Sequence, residues 1–155
     1  MYNKKFMLEA IRVANENIEN QGGPFGAVIV KDGEIIAASG NSVTIDNDPT
    51  AHAEVNTIRK ACKRLGTFNL EGCEIYSSCE PCPMCLSAIY WAHIDKLYYA
   101  TTKADAASIG FDDSFIYHEL TLKPEDRRVH AEQHDREVAL EPFNIWRDKI
   151  DKTEY

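Results

Sequence analysis

The chain has little positive charge: 17 lysine and arginine residues stand against 25 aspartate and glutamate residues, which leaves a net charge of −8. Proteins that bind large nucleic acids neutralise phosphates with clustered lysine and arginine side chains. The composition therefore argues against a large nucleic-acid partner, although it does not exclude a small basic patch. The only dense basic stretch runs from Lys60 to Arg64, and most of it is expected to form one solvated face of a helix.

Long apolar runs are also absent. No stretch approaches the roughly 20 apolar residues that a membrane-spanning helix needs. No apolar run follows Lys4 and Lys5, as a secretory signal would require. Internal repeats, low-complexity segments and linkers are missing as well. With 155 residues, 44% of them hydrophobic, the chain is expected to form a single domain over residues 1–155, with no membrane partner.

Cysteine is scarce, and its count is odd. The five residues are Cys62, Cys73, Cys79, Cys82 and Cys85. An odd count that includes a closely spaced pair does not fit a disulfide framework. Because unpaired thiols persist in reducing compartments, we expect a cytoplasmic protein.

Hydrophobic patterning predicts an α/β fold. Apolar residues between Lys4 and Gln21 recur at helical spacing, and the two apolar runs that follow are joined by Asp32-Gly33, a strong hairpin signal. The later patterns predict a helix over 51–65, a strand over 74–78, a helix over 82–91, a strand over 96–101, a short helix from about 113, a weakly patterned strand over 129–140 and a helix over 141–150. The order strand, helix, strand from 74 to 101 implies a parallel pair. The helix starts near 51 and 82 should therefore lie at one edge of a central sheet.

Two short segments carry the chemistry: His52-Ala53-Glu54 and Pro81-Cys82-Pro83-Met84-Cys85. Together they form the H-x-E and P-C-x-x-C pattern of zinc-dependent nucleobase deaminases. His52, Cys82 and Cys85 supply three ligands of a tetrahedral zinc site and leave the fourth position for water. Cys82 and Cys85 are three positions apart, so we expect them on one face of a helix whose first turn contains Pro81. Glu54 is placed to move a proton from that water to a substrate.

A structural zinc site is the alternative interpretation of the same cysteines. Cys79, Cys82 and Cys85 are spaced by threes, and with His52 they would form a closed Cys₃His site in a non-catalytic module that binds a partner. Two features argue against this interpretation. Pro81 sets the chain direction before Cys82, which places Cys79 at a strand end, and Glu54 would have no task in a closed site.

Longer motifs extend over nearly the whole chain. They are residues 22–27, Asn41, 48–54, 77–85, 110–114 and the tail from Trp146 to Tyr155. Together they resemble the short bacterial guanine deaminases of the cytidine-deaminase-like superfamily. The core motif is shared with tRNA adenosine deaminases and cytosine deaminases, whereas residues 111–114 and the tail narrow the resemblance to guanine deaminases.

The resemblance implies a fold, a cofactor and a quaternary structure. The fold would be a three-layer α/β/α cytidine-deaminase-like fold with a central mixed sheet of about five strands. Each subunit would bind one zinc ion. The protein would be a homodimer that exchanges C-terminal segments, about residues 125–155, so that the tail of one subunit closes the site of its neighbour.

The resemblance also implies roles for individual residues. His52, Cys82 and Cys85 would bind zinc, and Glu54 would be the proton shuttle. Asn41 and Asp113 would hold a purine base, and Phe25 would stack on it. The Ala53 backbone would line the pocket, and Tyr155 would be a lid residue. Trp91 is a candidate for the pocket floor or for the core. From patterning alone, Asn41 is also typical of a turn, Asp113 of a helix cap and Phe25 of a core.

The implied reaction is the hydrolytic deamination of guanine to xanthine and ammonia. Zinc lowers the pKa of a bound water from about 16 to about 7, so zinc hydroxide would attack C2 while Glu54 moves protons. An ionised Asp113 only accepts hydrogen bonds, so it would favour the N1–H and N2–H groups of guanine and repel N1 of adenine. The alternatives are a tRNA adenosine deaminase, a deaminase of another amino-heterocycle and the closed Cys₃His module.

Overall fold

The computed structural model of the chain describes residues 1–155 and contains four strands and eight helices. In chain order the elements are α1 (Lys4–Glu19), β1 (Gly23–Lys31), β2 (Glu34–Asn41), α2 (Val43–Asp46), α3 (Ala53–Leu65), β3 (Cys73–Cys79), α4 (Pro83–Trp91), β4 (Lys96–Thr101), α5 (Lys103–Ser108), α6 (Ser114–Thr121), a 3₁₀ turn (Pro124–Asp126), α7 (Arg136–Ala139) and α8 (Glu141–Asp148). The chain divides into two compact units, Met1–Asp113 and Ser114–Tyr155. None of the helices is both long enough and apolar enough to cross a membrane.

A mixed sheet with the strand order β2-β1-β3-β4 forms the centre of the first unit. β1 and β2 are the predicted hairpin, and their turn residues Asp32 and Gly33 have φ angles of 52° and 79°. Such positive angles give the turn a twist that matches the strands. β1 also pairs with β3 in the antiparallel sense, and β3 and β4 form the predicted parallel pair.

The alternation of side chains along the strands creates two apolar faces. Val28, Val30 and Tyr76 pack with Phe6, Met7 and Ala10 of α1 in one cluster. Their sequence neighbours Ala27, Ile29 and Ile75 pack on the opposite face with residues of α3 and α4, among them Ala53, Ala61 and Ile89. Because successive strand residues point to opposite faces, two apolar layers of helices can cover one sheet. The predicted α/β/α layering is therefore confirmed.

The strand register brings several chain ends to one edge of the sheet. Gly23 at the start of β1 lies opposite Asn41 at the end of β2, and Ala27 lies opposite Ser77 near the end of β3. Cys79 is paired with Thr101 at the end of β4. The segments that lead to His52 and Cys82 therefore leave the sheet at the same edge, as the strand order predicted.

The second unit contains only helices, turns and irregular chain, and none of residues 114–155 is buried. The strand expected over 129–140 is wrong: this stretch is irregular as far as Asp135 and then forms α7. The sheet consequently has four strands, not about five. Polar residues crowd positions 132–135, so no side of this segment offers the continuous apolar row that a strand buries. The helix predicted over 141–150 is confirmed as α8.

Candidate active site

His52 and Glu54 lie on either side of the first residue of α3. His52 is the residue before the helix, with extended backbone angles (φ −70°, ψ 156°), and Ala53 is its first residue. The preceding loop is held by Asn56, whose Nδ2 donates to the carbonyl oxygens of Gly40 and Ala51 at 3.1 and 3.2 Å. The end of β2 and the ligand-bearing helix start are therefore tied to the same amide group.

Cys82 and Cys85 occupy the start of α4. Cys82 precedes the helix with extended angles (φ −65°, ψ 168°), and Pro83 is the first helical residue. The prediction that Pro81 lies in the first turn is wrong by two residues. A proline disfavours the helical conformation in the residue before it, so Pro83 holds Cys82 in an extended conformation and starts the helix itself.

The three expected ligand atoms form a compact triangle. His52 Nδ1 lies 3.6 Å from Cys82 Sγ and 3.4 Å from Cys85 Sγ, and the two sulfur atoms are 3.5 Å apart. Zinc bonds of about 2.1 Å to nitrogen and 2.3 Å to sulfur in a tetrahedron imply ligand separations of about 3.6–3.8 Å. The side chains of this chain therefore fit a zinc ion bound by one imidazole and two thiolates.

The triangle favours negative charge on one sulfur. A hydrogen bond from the Cys85 thiol lowers the pKa of Cys82 to about 4, and the nearby His52 ring contributes in the same direction. The same hydrogen bond, together with burial, raises the pKa of Cys85. The hydrogen bond to Cys82 raises the pKa of His52. A cation placed among these atoms replaces the shared proton, because thiolates are the metal-binding form of cysteine.

Cys79 does not join this group. It is the last residue of β3, it is buried, and its Sγ donates to the carbonyl oxygen of Thr102 at 3.7 Å. The group that could hold a metal consists of His52, Cys82 and Cys85 alone. The ligand set is thus the three-residue set of an open site, and the closed Cys₃His arrangement is not formed.

Glu54 is held against the sheet by a residue that sequence patterning did not identify. Its side chain is only 6% exposed, and its Oε1 accepts a hydrogen bond of 2.8 Å from Ser77 Oγ. Burial raises the pKa of the Glu54 carboxyl. Ser77 follows Ile75 by two residues, so both side chains lie on the face of β3 that α3 covers. This two-residue spacing is the signal in the sequence that could have identified Ser77.

Asn41, Phe25 and Asp113 lie around the same end of the first unit. Asn41 ends β2 and is buried, and its Oδ1 accepts from the backbone N–H of Val43 at 3.2 Å, as expected of a turn residue. Phe25 packs against the core and makes an edge-to-face contact with Phe111, with ring centroids 5.0 Å apart. Burial and the charge of Cys82 raise the pKa of Asp113, so its carboxyl lies within electrostatic reach of the ligand triangle.

The other predicted base contacts are Ala53, Trp91 and Tyr155, and they differ in burial. Ala53 is fully buried between His52 and Glu54. Trp91 ends α4, is 68% exposed, and lies six residues, or about 9 Å of helix, beyond Cys85. Tyr155 belongs to the second unit and is 76% exposed. Phe111, which contacts Phe25, had no predicted role.

Comparisons with known proteins agree with this geometry. The cytidine and deoxycytidylate deaminase zinc-binding region matches residues 1–101. The guanine deaminase of Bacillus subtilis is 53% identical over the full length of both chains. Its crystal structure matches with a TM-score of 0.96, covering 100% of this chain and 99% of that one at 52% identity.

More distant relatives match a smaller share of the chain. The tRNA-specific adenosine deaminase of Aquifex aeolicus is 47% identical over 95 residues, which cover 61% of this chain and 63% of that protein. The structure of a guanine deaminase from Nitrosomonas europaea matches with a TM-score of 0.70 at 30% identity, covering 81% of this chain and 69% of that one. With its sheet, its ligand triangle and a matching family region over residues 1–101, the chain belongs to the cytidine and deoxycytidylate deaminase zinc-binding family, and its metal cofactor is zinc.

Proposed function

We propose that this protein is a guanine deaminase, an aminohydrolase that converts guanine and water to xanthine and ammonia. The observation that carries the proposal is the similarity to the Bacillus subtilis guanine deaminase, which extends through both units of the chain and not only through the zinc-binding region. The local geometry supports the same reaction, because a buried carboxylate stands beside an open three-ligand metal site.

His52, Cys82 and Cys85 would hold the zinc ion in this reaction. Zinc bound by three protein ligands acts as a Lewis acid and lowers the pKa of water to about 7, so a nucleophile is available at neutral pH. The extended conformations of His52 and Cys82 direct both side chains from helix starts toward a common point. The protein supplies this arrangement before any substrate binds.

Glu54 would move the protons. Its carboxylate accepts a proton from the attacking water as oxygen bonds to C2 of guanine, and it passes that proton to the ring nitrogen N3. Glu54 then takes the remaining proton of the C2 hydroxyl and gives it to the amino group, so that the C–N bond breaks, ammonia leaves and the C2 oxygen becomes the new carbonyl group of xanthine. Burial raises the pKa of the Glu54 carboxyl, which makes its carboxylate a stronger proton acceptor.

Asn41, Asp113 and Phe25 would recognise the base, with the Ala53 backbone and Trp91 as further contacts. An ionised Asp113 accepts hydrogen bonds from N1–H and N2–H of guanine, and adenine cannot supply this pair. O6 and N7 of the purine are both acceptors, so the Nδ2 group of Asn41 would donate to this edge while its Oδ1 accepts from the N–H of Val43. Phe25 offers an aromatic face for stacking, supported at its edge by Phe111.

A tRNA adenosine deaminase is the second candidate, because the Aquifex aeolicus protein of that name is 47% identical over 95 residues. The charge of the chain argues against it. The net charge is −8, and Lys60 and Arg64 of the one basic stretch direct their cations to backbone carbonyls of β2. An RNA phosphate would have to compete for these groups.

We also propose that the protein is a homodimer whose subunits exchange C-terminal segments, about residues 125–155. α8 exposes Phe143, Ile145 and Trp146, and no residue of the second unit is buried within one chain. A second copy that covers these side chains would remove apolar surface from water. In this arrangement Tyr155 closes the site of the partner subunit. All five cysteines are unpaired, which suits the reducing cytoplasm.

The test of the reaction is turnover of the purified zinc protein, followed by ultraviolet absorbance. Guanine, adenine and cytosine are supplied separately, and zinc content is measured on the same sample. We expect xanthine to form from guanine, with no reaction of adenine or cytosine. A zinc-loaded protein that leaves guanine unchanged would refute the proposal, and turnover of an adenosine-containing anticodon stem-loop would favour the second candidate.

A further inference from the structure

Asn17, near the end of α1, makes two hydrogen bonds at the sheet edge where the proposed base contacts lie. Its Nδ2 donates to the carbonyl oxygens of Gly23 and Asn41, each at 2.7 Å. These two residues face one another across β1 and β2. One side-chain amide therefore joins the helix to both strands of the hairpin, and the backbone carbonyl oxygen of Asn17 accepts from the N–H of Gly22 at 2.8 Å.

The pairing of β1 and β2 is irregular at this point. Gly23 is paired with Asn41, but the next pair is Gly26 with Gly40, so Pro24 and Phe25 have no opposite residues. Such a bulge bends the strand and changes the direction of its side chains. Phe25 is thus presented from a segment that the ladder of strand hydrogen bonds does not hold. The hydrogen bonds from Asn17 hold the side before Phe25, and on the other side the N–H of Gly26 donates to Ser78 Oγ at 3.0 Å.

The space around Asn17 is shaped for its side chain. A Cβ atom on Gly22 would overlap Asn17 Nδ2, and a Cβ atom on Gly40 would overlap Asn17 Cγ. Gly40 does not have a positive φ angle, so backbone conformation does not require glycine there. What requires it is the side chain of Asn17. The space that α1, Gly22 and Gly40 leave for the Asn17 side chain, here named the slot, therefore fits this one amide.

We propose that Asn17 is a positioning residue that fixes the bulge from which Phe25 and Asn41 are presented to the purine base. The role rests on the proposed guanine deamination, in which these two residues contact the base. Asn17 itself touches no ligand atom of the metal site. Its loss should therefore weaken base binding more than the chemical step.

The test compares Asn17→Asp with Asn15→Asp. Asn15 lies on the same helix and is exposed, so its substitution makes the same charge change away from the slot. Asn17→Asp removes the Nδ2 donor and places a carboxylate against two carbonyl oxygens. We expect the KM for guanine to rise about tenfold, as the loss of hydrogen bonds of ordinary strength implies, with kcat and zinc content near wild type. Asn15→Asp should leave all three values unchanged.

Gly40→Ala provides a second, coupled test. Its methyl group should displace the Asn17 side chain and raise KM in the same way. With the single variant Asn17→Ala also measured, the double variant Asn17→Ala/Gly40→Ala should be clearly milder than the sum of the two single effects, because both substitutions act on the same contact. A KM that stays unchanged in Asn17→Asp, or a fall in kcat without a rise in KM, would overturn the proposal. Full additivity in the double variant would do the same.

A measurement independent of turnover separates this inference from the proposed function. Hydrogen exchange at the backbone N–H of Val43, which Asn41 Oδ1 accepts, reports how firmly Asn41 is held. Exchange should be faster in Asn17→Asp than in Asn15→Asp. If the wild-type protein does not deaminate guanine, the proposed function is wrong. The exchange rates then decide by themselves whether Asn17 holds the backbone at Asn41 in place. Equal exchange in the two variants would overturn the positioning role.

Discussion

The hydroxyl group of Ser77 helps to orient Glu54. Ser77 Oγ donates to Glu54 Oε1 at 2.8 Å, and both side chains are buried. Ser77→Ala removes that donor and lets the carboxylate rotate away from the reacting atoms. We expect kcat on guanine to fall about tenfold, since one hydrogen bond to a charged group is worth about 1.5 kcal/mol or more. Steady-state kinetics on zinc-loaded protein checks this.

Ser78→Ala is the matched control for that experiment. Ser78 is the next residue of β3, and its Oγ accepts from the N–H of Gly26 at 3.0 Å and not from any catalytic group. Both variants lose one buried hydroxyl and one hydrogen bond. A decrease in kcat of the same size in Ser78→Ala would mean that the effect of Ser77→Ala is a general loss of stability.

Asp113 is the residue on which base selection depends in the proposed function. Asp113→Asn keeps the shape of the side chain but replaces an acceptor-only group with an amide that also donates. We expect kcat/KM for guanine to fall about 100-fold, because a site built on hydrogen bonds discriminates strongly against mismatched partners. Asp112→Asn makes the same charge change one position earlier. Equal losses in both variants would assign the effect to charge and not to recognition.

At the scale of elements, the edge strand β2 is protected by cations from α3. Arg64 Nη1 donates to the carbonyl oxygens of Ile35 and Ile36 at 3.1 and 2.7 Å, and Lys60 Nζ donates to Ala38 at 3.4 Å. An edge strand otherwise presents unpaired backbone groups to other chains. Lys60 and Arg64 of the basic stretch therefore stabilise the edge of the sheet.

Arg64→Ala tests this explanation of the basic stretch. We expect the free energy of unfolding to fall by about 1 kcal/mol, because the lost hydrogen bonds are exposed to solvent. Urea denaturation followed by circular dichroism measures the change. Lys63→Ala removes the same charge from the neighbouring exposed position and should shift the midpoint much less. Equal shifts would show that charge alone, and not the contact with β2, stabilises the fold.

At the scale of the whole molecule, segment exchange makes a prediction about mixed dimers. One variant carries Glu54→Gln and an intact tail, and the other has an intact site but lacks residues 153–155. In a mixed dimer the intact site receives the tail of the inactive subunit, so co-expression should restore activity that neither variant has alone. Turnover and light-scattering mass on the purified mixture are the measurements. A monomer with full activity, or no restoration in a confirmed dimer, would refute the exchange.

Features whose cause lies within a few residues could be predicted from the sequence. The hairpin follows from Asp32-Gly33, and the ligand set follows from the spacing of His52 and Glu54 and of Cys82 and Cys85. These inferences succeeded because turn angles and helix starts depend on local backbone geometry. Two expectations from local patterns were wrong. The strand over 129–140 has no continuous apolar row, and Pro81 was chosen in place of Pro83 because either proline could have started the helix.

Which distant residues meet depends on how the strands and helices pack. Ser77 and Glu54 are 23 positions apart, and Asn17 and Asn41 are 24 apart, so no local pattern connects them. The partner of the Cys79 thiol, the carbonyl oxygen of Thr102, was decided in the same way, by what the packed sheet places beside the end of β3. Hydrogen bonds between distant residues form where register and helix packing bring donors and acceptors together, and those distances exist only in the folded chain.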